Sequence, residues 1–446
     1  MSTYRSTTRE ASRIMPTFPP SMELDPISRN PTRLPGKTVE EIESMTPAER
    51  LGRRHRGHRD SRAVRRTSVI VVTQDNLCFT RLCLESLLAN SSRREMEVIV
   101  VDNGSGDGTP GYLESLSIAT GRVRPILNRE NEGFARANNQ GLAASIGDDL
   151  ILLNNDTIVP PGWDDRLARH LRDPEVGLVG PLTNRICNEA QVDTDYSTYG
   201  GMVEFADRVA RDDPGDLSEM QMLAMFCLAM RRDVLERLGP IDERFGLGLF
   251  EDDDYSKRAR AAGYRVVCAR DAFVHHFGQA SFGALEGGEY GRLWHRNRAL
   301  FEEKWGVPWV PHSGRTVGYR ALVEAIRVAA RGEIAAGATV AVISKGDDDL
   351  LALGECRGRH FPDDNSGDHL GYHPANAPEV IRRLEESRRR GVEYLLIPSP
   401  QFWYLDFFAG FRTHLERHYP PPSHFPGTCI IFDLRVPASG ISIKGI

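Results

Sequence analysis

Three polar clusters directly follow apolar runs, and each carries residue types that bind or activate substrates. The first, Asp102-Asn103-Gly104-Ser105-Gly106-Asp107-Gly108-Thr109, follows VIVV. Gly104-x-Gly106 after a strand could open a dinucleotide fingerprint, but Thr109 stands where its third glycine belongs, and Asp102 would face the pyrophosphate. A carboxylate there suits hydrogen bonding to a ribose or nucleobase. The plainer alternative is a glycine-rich turn in which Asp102 caps the next helix. The second cluster, Asn154-Asn155-Asp156, follows LILL. An acid at a strand end can hold Mg2+ or Mn2+, which take oxygen ligands and share them with substrate phosphates; Asp156 could equally be a turn residue before Pro160-Pro161. The third, Glu251-Asp252-Asp253-Asp254, follows GLGLF. Acids suit the start of a helix on dipole grounds alone. An apolar approach could also bury part of the run and tune one carboxylate as a general base. His275-His276 follows FV, where a strand-end imidazole can complete a metal site or simply sit at the surface.

Strands must end where these clusters begin. SVIVVT (68–73), EVIVVDN (97–103) and DLILLNND (149–156) are β-branched or leucine-rich runs ending in polar residues. Helical patterns lie between and after them at 79–91, 108–117 and 134–146. Alternating strands and helices predict an α/β fold with a mostly parallel, Rossmann-like sheet, whose ligands collect at the carboxyl ends of the strands. The chain divides into a basic N-terminal segment (1–66), a principal domain (67–312), a helical linker (313–335) and a smaller C-terminal α/β unit (336–446). In that last unit, strands are expected at 338–346, 392–400 and 429–435, and helices at 378–391 and 404–419. Lys345-Gly346-Asp347 could bind an anion at a helix start. His360, Phe361, Tyr372, Phe402, Trp403 and Tyr404 could stack on sugar rings or pack a core.

The 446 residues carry a formal net charge of −6, which gives the whole chain no electrostatic case for coating nucleic acid. Seven cysteines without a C-x-x-C pair exclude a zinc knuckle and suit reduced thiols. No run reaches the roughly 18 apolar residues of a membrane span, and the N-terminus lacks the apolar core of a secretory signal, so a cytoplasmic protein is expected. Residues 1–66 are rich in Ser, Thr, Pro and Arg, which predicts disorder with one short helix at 38–54. Seven arginines between Arg53 and Arg66 read as a solvated linker, or as a tether that brings the protein to anionic lipid headgroups or an acidic partner.

Seven blocks in order carry a resemblance: VIVVT (69–73), VIVVDNGSGDGT (98–109), NEGFARANNQGL (131–142), LLNNDTIVPPGW (152–163), FCLAMRRDVLERLGPIDERF (226–245), FEDDDYSKRARAAGYRV (250–266) and VHHFGQASF (274–282). The span from about 67 to 312 resembles the family-2 glycosyltransferases of GT-A fold, in particular their rhamnosyl- and galactofuranosyl-transferase-like branch. The resemblance implies an inverting transfer of a sugar from a UDP- or dTDP-linked donor to a hydroxyl of a glycan or lipid-linked acceptor, in the synthesis of a bacterial surface polysaccharide. It implies that Thr73 and Asp102 contact the base and ribose, and that Gly133, Phe134 and Asn138 close over the donor. Asp156 matches the last acid of the metal-binding D-x-D motif; Asn154 and Asn155 occupy its first two positions, with Asn155 beside the donor. His275 matches a histidine that completes the Mn2+ or Mg2+ site. Asp252 matches the catalytic base with Glu251 supporting it, and Arg258 stands behind these acids to orient them or meet phosphate.

Other classes fit less well. A nucleotidyltransferase would show a glycine-rich loop with a basic residue after the first strand, which VVTQDNLCFT lacks. A dinucleotide oxidoreductase is opposed by Thr109. A non-catalytic nucleotide-sugar or glycan-binding scaffold would be favoured by loss of Asp156, Asp252 or His275, and all three are present.

Overall fold

The computed structural model describes residues 18–24, 65–92, 95–186, 188–278, 289–310, 317–344, 346–363, 374 and 376–435. The expected helix at 38–54, most of the arginine run, Lys345 and Tyr372 lie outside them.

The principal sheet is built on four parallel strands: β1 (Thr67–Thr73), β2 (Met96–Asp102), β3 (Val123–Leu127) and β4 (Asp149–Asn154). Three helices connect them: α1 (Leu77–Asn90), α2 (Thr109–Thr120) and α3 (Phe134–Ala144). After a two-residue strand β5 (Thr157–Ile158) come helix α4 (Trp163–His170), β6 (Val176–Leu182), α5 (Tyr199–Asp212) and β7 (Leu217–Glu219). Then follow β8 (Cys227–Arg231), α6 (Arg232–Leu238), α7 (Glu251–Ala261), β9 (Arg265–Phe273), β10 (His275–His276) and α8 (Glu289–Trp305). The strand order is β3-β2-β1-β4-β8-β6-β9-β7, with β8 and β7 antiparallel to their neighbours. Both faces of the sheet are covered. Ile70, Leu150 and Leu152 pack into one apolar layer, and Val69, Val71, Ile151 and Leu153 into the other. That two-sided burial is why these strands read as continuous apolar runs rather than alternating ones.

The expected C-terminal strands and helices form a second sheet. Helix α9 (Val317–Glu333) leads to β11 (Thr339–Val342), β12 (Arg357–His360), α10 (Ala377–Arg389) and β13 (Tyr394–Pro398). Helices α11 (Trp403–Phe407) and α12 (Ala409–His418) precede β14 (Ser423–Phe425) and β15 (Cys429–Asp433), and the sheet order is β12-β11-β13-β15-β14. The single helix expected at 404–419 is broken at Phe408, whose ψ of 65° redirects the chain. Tyr404, Phe408 and Phe411 are all buried in the core of this unit across the break. Phe361 joins the same core, so it and Tyr404 are packing residues rather than exposed stacking surfaces.

The N-terminal region departs from its expected disorder at Phe18–Leu24. Phe18, Met22 and Leu24 are buried in the main core, Phe18 standing edge-on to Tyr199 at 5.3 Å. Backbone bonds from Tyr199 and Gly200 N–H to Met22 and Pro20 carbonyls, and from Leu24 N–H to Ser197, seat this strap. Three large apolar side chains spaced two to four apart outweigh the polar composition around them. At the end of the arginine run, Arg65 donates to the buried Asp149 at 2.8 and 3.0 Å, so this arginine is spent inside the domain. Among the described residues, no helix is long and apolar enough to cross a membrane.

Phe18→Ala is expected to lower the unfolding free energy by about 3–5 kcal/mol, read as a lower urea midpoint. An unchanged midpoint would show that the strap is not seated in solution.

Candidate active site

Parallel pairing places the carboxyl ends of β1, β2 and β4 side by side, with Thr73 opposite Asp102 and Val72 opposite Asn154. Thr73 Oγ1 lies 2.7 Å from Thr80 Oγ1, and the Asn155 amide donates to both hydroxyls at 3.1 Å. Thr73 and Asn155 thus form a buried clamp between strand ends, and the Asn155 amide is committed there. Asp102 is almost fully buried and accepts a short hydrogen bond from the Ser105 hydroxyl. Burial pushes its pKa up against the opposing effect of Ser105, with Asp107 and Asp75 adding to the rise.

Asn103 was not among the expected site residues, yet it shapes this rim. Its amide donates to Asn131 at 2.7 Å and its carbonyl accepts from Asn128 and from the Glu132 N–H. Asn131 in turn donates to Gln74 at 2.8 Å. Segment 128–133 is thereby tied to the ends of β1 and β2. At its tip Gly133 has φ of +88°, and a Cβ there would lie 2.5 Å from the Gly246 carbonyl oxygen. The Phe134 N–H donates to that same oxygen at 3.1 Å, and the Asn138 amide caps the Phe134 carbonyl at 2.9 Å. Gly133, Phe134 and Asn138 therefore join segment 128–133 to the loop that precedes α7.

That loop is strained. Gly246, Gly248, Leu249 and Phe250 all have positive φ, and for the last two this is an unfavourable backbone. Asn297 of α8, fully buried, donates to the carbonyls of Phe245, Gly248 and Leu249 at 2.7, 2.7 and 3.1 Å and holds the distortion. Nothing in the sequence singles out Asn297; it acts across almost fifty residues.

The acidic run divides by role at the start of α7. Asp254 is fully buried against Lys304 at 2.7 Å, Arg258 at 3.0 Å and the Trp305 indole N–H at 3.0 Å. Asp253 accepts from the Trp309 indole at 2.7 Å. Glu251 is buried, and its Oε2 makes no hydrogen bond among the described residues. Burial, then the adjacent Asp252 charge, holds its pKa well above the usual carboxylate range. Glu251 is thus the member of the pair that holds its proton more tightly, and the half-buried Asp252 stands beside it. Arg258 also donates to the Leu238 and Pro240 carbonyls at 2.9 Å, so it orients Asp254 and the α6–α7 connection.

Both histidines of β10 bear on the metal site expected at His275. β10 pairs with β5, setting His276 opposite Thr157 and His275 opposite Ile158. His276 Nε2 lies 3.3 Å from Asp156 Oδ1, while the ring stacks on Phe226 and Nδ1 is 3.0 Å from the Arg185 carbonyl. The Arg185 carbonyl accepts from Nδ1–H, which orients the ring with Nε2 toward the carboxylate oxygen. An imidazole nitrogen and a carboxylate oxygen converging at that distance suit a shared cation, and the carbonyl behind the imidazole is the usual support for a metal-ligating histidine. His275, the residue expected here, has Nδ1 2.7 Å from the Tyr196 hydroxyl, and its buried Nε2 makes no hydrogen bond among the described residues. Burial and the neighbouring His276 push its pKa down to about 3. Asp156 and His276 fit a divalent ion as a pair, with no cluster of three or more such side chains among the described residues.

Residues 68–239 match the family model described as Glycosyl transferase family 2, so this segment is a domain of that family. With the topology above, the fold is the GT-A fold, accompanied by a smaller C-terminal α/β unit. The chain is 30% identical over 232 residues to the O-antigen biosynthesis protein RfbC of Myxococcus xanthus, covering 48% of this chain and 18% of that one. It is 29% identical over 231 residues to the N-acetylglucosaminyl-diphospho-decaprenol L-rhamnosyltransferase of Mycobacterium tuberculosis, covering 43% of this chain and 71% of that one. A solved structure of GalNAc-T7 with UDP, GalNAc and Mn2+ is loosely similar, at a TM-score of 0.40 and 17% identity over 54% of this chain and 50% of that one.

Asn297→Leu removes the donor to three loop carbonyls at nearly constant volume. It is expected to cost about 1–3 kcal/mol of stability, measured by urea unfolding. No loss would mean that the loop holds its shape without the amide.

Proposed function

We propose that the protein is an inverting glycosyltransferase that moves a sugar from a UDP- or dTDP-linked donor to a hydroxyl of a glycan or lipid-linked acceptor. Its setting is the synthesis of a bacterial surface polysaccharide. The observation that carries this reading is the convergence of Asp156 Oδ1 and His276 Nε2 just past the carboxyl end of β4, in the sheet whose β2 ends at the buried Asp102. Two protein ligands leave most coordination positions to substrate phosphate and water, as a diphosphate-binding Mn2+ or Mg2+ requires.

Asp102 and Thr73 would receive the nucleoside, and the glycine at 133 lets the donor-side rim close against Gly246. When bound, a divalent ion would neutralise the charge that develops on the leaving diphosphate. Asp252 would take the proton from the acceptor hydroxyl as that oxygen attacks the anomeric carbon. The raised pKa of Glu251 suits this division, because burial and the adjacent Asp252 charge both oppose its ionisation. A single displacement with one base inverts the anomeric centre without a covalent sugar–enzyme intermediate.

Calorimetry of the full chain with UDP, dTDP, GDP and CMP, each with and without Mn2+, tests the reading. One diphosphate should bind in a metal-dependent way, and Asp156→Ala or His276→Ala should each weaken Mn2+ binding by about 10-fold or more. His275→Ala should leave that affinity nearly intact. Binding of no nucleoside diphosphate would overturn the donor site.

A further inference from the structure

We propose that Asn184, in the loop that follows β6, is the positioning residue of the cation site: its side-chain amide takes the place of a peptide group and holds the backbone of His276. The inference rests on the transferase reading and adds to it a residue that acts only through that histidine.

β10 is a strand of two residues, and backbone pairing with β5 secures one of its edges. On that side His275 and His276 pair with Ile158 and Thr157, and the Phe277 N–H donates to the Asp156 carbonyl at 2.9 Å. Backbone groups alternate in direction along an antiparallel pair, so the His276 N–H and carbonyl face the other way. The neighbour there is the chain leaving β6, whose ladder reaches the Leu182 carbonyl, an acceptor for the Val274 N–H at 3.0 Å. Past Leu182 this chain turns to a different partner. The Thr183 N–H donates to the Ala190 carbonyl at 2.9 Å, and the Thr183 carbonyl accepts from Val192 at 2.8 Å.

Asn184 fills the place that a continuing strand would have taken. The His276 N–H donates to Asn184 Oδ1 at 2.8 Å, and Asn184 Nδ2 donates to the His276 carbonyl at 3.1 Å. One side-chain amide thus makes both bonds of a ladder step. The Thr183 hydroxyl donates to the same Oδ1 at 3.3 Å, which fixes the end of the amide that meets the N–H. The next residue completes the grip, because the Arg185 carbonyl accepts from His276 Nδ1–H at 3.0 Å. Positions 184 and 185 therefore hold the backbone and the ring of one histidine, with Nε2 left 3.3 Å from Asp156 Oδ1. Aspartate at 184 would lack the donor, and glutamine would set the amide one methylene further out. Without the amide, two peptide groups of the buried His276 lose their partners, and a strand of two residues has little pairing to oppose a shift toward water.

The test compares the full chain as wild type, Asn184→Leu and Asn188→Leu, with Mn2+ alone as the probe in calorimetry. Asn188 lies in the same loop, where its amide donates to the Met222 carbonyl at 3.3 Å and accepts from the Ala190 N–H at 3.0 Å. Its variant disturbs the loop without touching His276. Asn184→Leu should weaken Mn2+ binding about 10-fold or more, and Asn188→Leu should leave it nearly intact. A second readout is proton NMR of the metal-free chain, in the downfield region of hydrogen-bonded imidazole N–H protons, with the His276 signal identified by its loss in His276→Ala. That signal should disappear or move in Asn184→Leu and persist in Asn188→Leu. Unchanged Mn2+ affinity in Asn184→Leu overturns the proposal. An equal loss in both loop variants also overturns it, since Asn184 would then stabilise the loop and nothing more. If the wild type binds no Mn2+, the cation reading fails and the imidazole signal decides alone: moved only in Asn184→Leu, it upholds Asn184 as the residue that sets His276; unmoved, it overturns that role as well.

Discussion

The register of β2, β1 and β4 is the constraint on which the candidate site depends. Because these strands are buried on both faces, a slip of one residue would exchange two tightly packed apolar layers. Register is therefore held by core packing, and the polar residues at the strand ends inherit their alignment from it. Thr73, Asp102 and Asn154 meet at one edge because Val69, Ile70 and Val71 interlock with β2 and β4. The Thr73–Thr80–Asn155 clamp then secures the edge with hydrogen bonds that exist only in that register.

A second level of order comes from side-chain amides acting on loops. Asn103 fixes the 128–133 segment, and Asn297 fixes the 245–250 segment. The two segments then touch where Gly133 meets the Gly246 carbonyl, and only hydrogen on the Cα of Gly133 fits there. Successive non-glycine residues with positive φ are costly, and they persist because α8 satisfies the carbonyls that this backbone turns inward. The donor-side and acid-side rims are in this way one connected structure.

The acidic run shows how one short stretch yields three electrostatic outcomes. Asp254 has Lys304, Arg258 and an indole N–H and behaves as a buried structural anion. Glu251 Oε2 has no hydrogen-bond partner among the described residues, and burial raises the pKa of its carboxyl. Asp252, between them in sequence, is only half-buried. Burial and partners, rather than residue type, separate these roles.

The α/β alternation, the principal strand positions and the three strand-end clusters were legible in the sequence, since apolar runs followed by polar residues are local signals. Glu251, Asp252, Asp156 and Asp102 were legible for the same reason. The strap at Phe18–Leu24 was not, because its three apolar side chains are buried by residues from distant elements. Nor could the chain alone decide between His275 and His276: adjacent strand residues point to opposite sides, and only the pairing of β10 with β5 settles which imidazole meets Asp156. Asn297 lay in an ordinary-looking helix. Its significance comes from the loop that α8 packs against, which is a tertiary contact over about fifty residues. Local sequence determined which groups were available; long-range packing decided which of them share a site.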